Sequence, residues 1–147
     1  MNIENYTSTK DSSSSIAKIE ELLLEIGASK INKQYEDKIC TSITFILCER
    51  QLNQTFSFHL KAQIQECFAI LWQDVKRPRP DTAAIIQQQA SRTAWKILSE
   101  WTEVQCSMIL FSQAKPLQMF LPFIYDMKTN ETLFDKVSNG KVKLLQS

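Results

Sequence analysis

Glycine is nearly missing from this chain, with two residues in 147, Gly27 and Gly140. No glycine-rich loop exists, so phosphate cradles of the Walker or dinucleotide-binding kind are excluded. Proline occurs four times. So little turn-forming chemistry argues against an all-β or loop-rich fold. The only histidine, His59, has no Cys, Asp or Glu at ligand spacing, which makes it a surface residue rather than a metal ligand. Charge of one sign is lacking too. There are 17 basic and 16 acidic residues, net +1, whereas a dedicated nucleic-acid coat protein is far more basic. The longest apolar run, 119–125, is broken by Pro122 and is too short to span a bilayer. The start, MNIENYTSTKDSSSS, lacks the apolar core of a signal peptide. The expectation is a cytoplasmic protein with no membrane partner, in which the sequons at Asn5, Asn53 and Asn130 are accidental. The four cysteines, Cys40, Cys48, Cys67 and Cys106, form no close pair and read as reduced thiols.

What the chain does have is one long uninterrupted stretch, 81–114, without Gly or Pro. Ala90, Ala94, Ile97, Trp101, Val104, Met108 and Phe111 follow one another at steps of 4 and 3. That is the seam of an amphipathic helix roughly 50 Å long. Either the rest of the chain covers this seam or another chain does.

Ahead of it, a run of serines closes a polar start. Ser15 is the expected cap of a helix carrying Ile16, Ile19, Leu23 and Ile26, with Gly27 as its stop. Ile31 and Tyr35 begin a strand that ends at the polar turn Glu36-Asp37-Lys38. Residues 39–48 and 55–61 alternate apolar and polar, which predicts a three-stranded antiparallel meander with one apolar face. A second helix carries Ile64, Phe68, Leu71 and Val75. Pro78 and Pro80 then force extended backbone, and Asp81 is a candidate cap for the long helix. Leu117, Phe120 and Leu121 share a short helical face that Pro122 stops. Residues 123–128 and 132–137 read as strand, turn, strand.

The predicted fold is therefore α+β: helix, meander, second helix, Pro-bracketed linker, long helix and small C-terminal hairpin. The expected division is a disordered 1–14, a helix–meander–helix module at 15–75, a linker at 76–80, and 81–147 packing on the module.

Some of these stretches together resemble a family of small proteins encoded by phages, prophages and other mobile elements. They are Ile26-Gly27-Ala28 before Tyr35, Ile43 and Phe45, and Phe120-Leu121-Pro122-Phe123 before Thr132-Leu133. The strongest is Arg92-Thr93-Ala94-Trp95-Lys96-Ile97-Leu98 followed by Trp101 and Gln105. The resemblance covers roughly 16–135 and departs at Glu36-Asp37-Lys38, where the family carries Gly or Pro. It implies an accessory role in a bacterial or viral cytoplasmic setting and carries over no site residue.

No catalytic set and no cofactor is expected. A nucleophilic cysteine needs an oriented base, and Cys48 with His59 across the hairpin is the one pair to test. Two binding readings remain. In the first, the long helix docks a protein partner or a second copy through Trp95, Trp101, Met108 and Phe111. In the second, Lys76, Arg77, Arg79, Arg92 and Lys96, with Trp95 beside them, contact a single-stranded nucleic acid.

Overall fold

The computed structural model describes residues 11–145. Of the disorder expected for 1–14, the part at 1–10 lies outside them and 12–14 are helical, while the end of the basic tail also lies outside. The fold is α+β, and the chain forms two compact units. One is Met1–Leu23 with Ala62–Cys106; the other is Leu24–Lys61 with Ser107–Ser147.

The first unit is helical. Helix α1 spans Ser12–Glu25, α2 Ile64–Trp72, and α3 Thr82–Leu110. The start of α1 lies three residues ahead of the expected cap. The Ser15 amide already bonds the Asp11 carbonyl, so Ser15 is an inner residue and is fully buried. Gly27 adopts φ 92 and donates its amide to the Leu24 carbonyl. That is the left-handed stop that only glycine takes without a Cβ penalty. Ser12 and Ser91 share a hydroxyl hydrogen bond of 3.0 Å. Lys18 pairs with Glu103 at 3.4 Å. The order of these contacts makes α1 and α3 run in the same sense. In α2, Ile64 and Leu71 are buried while Phe68 stacks on Trp72 at 5.5 Å.

Helix α3 ends before Pro116 is reached. The amide of Ser112 bonds the Ile109 carbonyl, and that of Gln113 bonds the Met108 carbonyl. Ser112 sits at φ 57. This is a Schellman closure with serine where glycine is usual.

The second unit contains a three-stranded antiparallel sheet. Its strands β1 (Ser29–Glu36), β2 (Ile39–Glu49) and β3 (Gln54–Lys61) lie in that order. Odd positions of β2 form the inner row, so Ile43, Phe45 and Leu47 are buried. Phe45 stacks on Phe58 of β3 at 5.3 Å. After α3, the chain makes a short helix, α4 (Pro116–Phe120), and a 3-10 turn, Leu121–Phe123. These set Phe120 edge-on to Phe45 at 5.5 Å. The even row is buried as well at Cys40, Ser42 and Thr44. Its hydroxyls are satisfied across the sheet: Gln34 donates to Thr44 at 3.0 Å and accepts from Ser42 at 2.9 Å.

The C-terminal region corrects one expectation. Strands β4 (Tyr125–Asp126) and β5 (Glu131–Thr132) are only two residues long, and 133–138 is helix α5 (Leu133–Ser138) rather than strand. Thr132 and Asp135 form a reciprocal capping box, which starts a helix wherever a Thr-x-x-acid pattern is free to close. Polar pairs brace this region. Lys136 donates to Asp126 at 2.6 Å, and this bond holds the Asp126 carboxyl down at about 2. Lys141 donates to Glu131 at 2.5 Å and likewise lowers its pKa.

The β1–β2 turn is a two-residue loop, since Glu36 pairs with Ile39. Asp37 and Lys38 both take positive φ, 49 and 68. A primed turn demands this, but Lys carries a Cβ that resists it. Lys38→Gly is expected to stabilise the fold by about 0.5–1 kcal/mol, after the extra entropy of an unfolded glycine is offset. The urea midpoint should rise at constant slope. An unchanged or lower midpoint would show the turn to be unstrained.

Candidate functional site

The long helix carries two rows of residues on nearly opposite sides. Ile97, Trp101 and Val104 fall within about 60° of one another at 100° per residue. Trp95, Ser99, Thr102 and Cys106 form a second row about 170° away by the same rotation. Hydropathy alone puts the first row inside. The structure buries the second. Trp95, Thr102 and Cys106 are fully buried and Ser99 nearly so. Ile97 is 48% and Val104 59% exposed, with Trp101 half-buried between them. Ala90 and Ala94, the first two residues of the seam, are buried with Thr93 beside them, so the seam faces inward at its start and outward from Ile97 on.

The buried row is set by Trp95, the largest side chain it holds, and by the small residues that follow it. Ser, Thr and Cys are small, so a helix that turns them inward can approach its neighbours closely. Their polar atoms are satisfied locally, as when Thr102 Oγ1 donates to the Leu98 carbonyl at 2.8 Å. Removing apolar surface from water favours burial by about 25 cal/mol per Å², so an outward Ile-Trp-Val row forgoes stabilisation that a second surface can supply.

The charges beside this row form one flank. Lys96 pairs with Glu100 at 3.4 Å, and Glu103 pairs with Lys18 of α1. Arg92 donates to Gln89 at 2.7 Å.

Each residue singled out from the sequence now has a place. Trp101 is half-buried on the outer row. Met108 and Phe111, which belong to the second unit, are exposed. Trp95 is wholly inside, so it offers no surface to a partner and no ring to a nucleobase. Trp95 therefore gives Arg92 and Lys96 no exposed ring beside them. Lys76, Arg77 and Arg79 are exposed, and the linker is anchored by the Arg79 amide donating to Thr82 Oγ1 at 2.8 Å.

No protein-family model, curated protein or solved structure matches the chain. The site is thus read from its own geometry.

The Cys48 and His59 pair does not assemble. Both lie on the same face of the sheet, but His59 stands opposite Thr44 and Cys48 opposite Thr55. Four residues of strand separate them, about 13 Å. His59 instead stacks on Tyr125 at 4.5 Å, and its Nδ1 is buried without a hydrogen-bond partner. Burial, and after it the Lys61 charge, push its pKa down against a smaller opposing pull from Asp135. Burial also pushes the Cys67 thiol up, away from nucleophilic character. Among the described residues, no three His, Cys, Asp or Glu side chains gather as metal ligands. No helix among them is long and apolar enough to cross a membrane.

The residue that periodicity misses is Glu49. It reads as the start of a polar connection, yet its odd number continues the inner row of Ile43, Phe45 and Leu47. Strand parity, carried one step past the last apolar residue, is the signal that finds it.

Proposed function

We propose that this chain is a non-enzymatic interaction module whose outer α3 row, Ile97, Trp101 and Val104, seats a protein helix. The observation that carries this reading is the facing of α3 from Trp95 on, with Trp95, Ser99, Thr102 and Cys106 turned in and Ile97 and Val104 of the apolar row about half in water. A second copy is a partner that the charge order admits, once Lys96 leaves Glu100 and Glu103 leaves Lys18. Lys96 and Glu103 stand at opposite ends of one flank. Antiparallel pairing across the row brings each flank against itself in reverse order, so Lys96 of one copy meets Glu103 of the other. A net charge of +1 adds almost no repulsion between copies. An accessory role in a phage or mobile element rests on the resemblance alone, which is strongest on the long helix.

Sedimentation at micromolar concentration should show a dimer. Ile97→Asp with Val104→Asp should weaken it by at least about tenfold while leaving the melting temperature near native, because neither side chain is buried in the monomer. A strict monomer would overturn self-pairing. Salt-dependent capture of single-stranded DNA that survives these changes, and is lost when Lys76, Arg77 and Arg79 are neutralised, would favour the nucleic-acid reading.

A further inference from the structure

With Trp95 inside, a different pair of rings stands beside the cationic linker. On α2, Phe68 and Trp72 are four residues apart, which puts them on one side of the helix. Their rings stack with centroids 5.5 Å apart and planes 19° from parallel. Phe68 is half-buried and Trp72 is 36% exposed. Phe68 thus backs an indole that remains partly in water.

The linker follows directly. The Val75 amide bonds the Trp72 carbonyl at 3.0 Å, so the chain turns once and delivers Lys76 and Arg77 within a few residues of the indole. Pro78 and Pro80 keep the backbone extended, and the Arg79 amide is tied to Thr82 Oγ1. Lys76, Arg77 and Arg79 are exposed. Among the described residues, none of the three pairs with a carboxylate. Asp74 and Asp81 flank the run, so three cations stand against two acids. Glu66 lies about 120° round α2 from Trp72. All of these residues belong to the first unit.

Partners that cations attract differ in what they offer the ring. An acidic peptide would engage the linker and leave Trp72 unused. An anionic membrane needs one apolar face to enter it, but Ile70, the other large apolar residue exposed on α2, lies about 160° round from Trp72. A duplex keeps its base faces inside the stack. A single strand offers phosphates and open base faces together. We propose that Trp72, backed by Phe68, and the cations Lys76, Arg77 and Arg79 bind single-stranded nucleic acid. One base stacks on the indole, and the adjoining phosphates lie on the linker. DNA and RNA share this chemistry. The α3 row takes no part, so a chain that fails to dimerise binds all the same.

The test uses the full chain at low salt and the anisotropy of a labelled oligothymidine of about 12 nucleotides. The other probes are an abasic strand, a duplex and an oligouridine of the same length, and vesicles of phosphatidylglycerol with phosphatidylcholine. Oligothymidine should bind at least about fivefold more tightly than the abasic strand, the lower end of what one base–aromatic stack is worth. Trp72→Leu should bring those two strands to equal affinity. Changing Lys76, Arg77 and Arg79 together to Gln should weaken both and flatten the salt slope, which three phosphate contacts set at about −2. Tighter binding of oligouridine would identify RNA as the source, and tighter binding of oligothymidine DNA. Equal wild-type affinity for the base-bearing and abasic strands overturns the proposal, whether or not the variants fold. So does equal or tighter binding of the duplex or the vesicles, or a base preference that survives Trp72→Leu.

Discussion

Trp95→Ala is expected to destabilise the protein by about 3–5 kcal/mol, and Ile97→Ala by less than about 1 kcal/mol. Hydropathy spacing predicts a different pattern, because Ile97 sits on the apolar row and Trp95 off it. Burial decides the matter. Trp95 has no exposed surface, so its loss leaves a cavity that the surrounding side chains fill only in part. Ile97 is about half in water already, and its truncation removes little that the monomer uses. A domain of this size is stable by roughly 5–15 kcal/mol. Trp95→Ala therefore takes a fifth or more of the total, while Ile97→Ala barely moves the midpoint. Urea unfolding read by tryptophan fluorescence, at nanomolar protein where copies do not pair, separates the two. Equal losses would mean that the apolar row is inside after all.

Phe120→Ala is the second large effect, again about 3–5 kcal/mol. Phe120 is fully buried and edge-on to Phe45, with Phe58 at 5.9 Å. Edge-to-face aromatic contacts add roughly 0.5–1.5 kcal/mol beyond area. Phe120 is also the one buried residue of α4, so its ring is the main anchor of that helix within its unit. Phe120→Leu should recover part of the loss by refilling volume without restoring the ring geometry. Hydrogen exchange in the Ala variant should accelerate first across 116–123. Native protection in that segment would show that the ring does not hold it.

The elements of this fold were legible where a short pattern repeats. The meander follows from strict alternation in β2 and β3, and the register bears it out with Phe45 opposite Phe58. The long helix is equally plain from 81 onward. Its facing was not, because hydropathy reads oil and water while helix packing also reads size. Ser99, Thr102 and Cys106 look like a solvated side and are a close-packing one. The start of α1 was blurred for another reason: Asp11 and the four serines after it are all residues that can flank a helix start, and spacing cannot choose among them. Helix α5 was missed because Leu133 and Phe134 suggest a strand in so short a segment. Yet Thr132 and Asp135 already stood at capping-box distance. Of the candidate sites, the outer row was visible as a row, and its Trp101 was named. The burial of Glu49 was not visible, since hydropathy reads it as the start of a polar connection and only strand parity sets it on the inner row.

The depth of Cys106 has a consequence of its own. A thiol reacts with an alkylating reagent only as a solvated thiolate. Cys48 is exposed, whereas Cys106 is sealed on the inner row of α3. Modification of Cys48 therefore proceeds from the native state at the rate of the reagent. Modification of Cys106 must wait for the inner face of α3 to open. At low reagent it follows the equilibrium of that opening, and at high reagent the rate of opening itself. The chain thus contains two internal clocks, one set by chemistry and one by its own breathing, and their ratio measures how often the inner face of α3 comes apart.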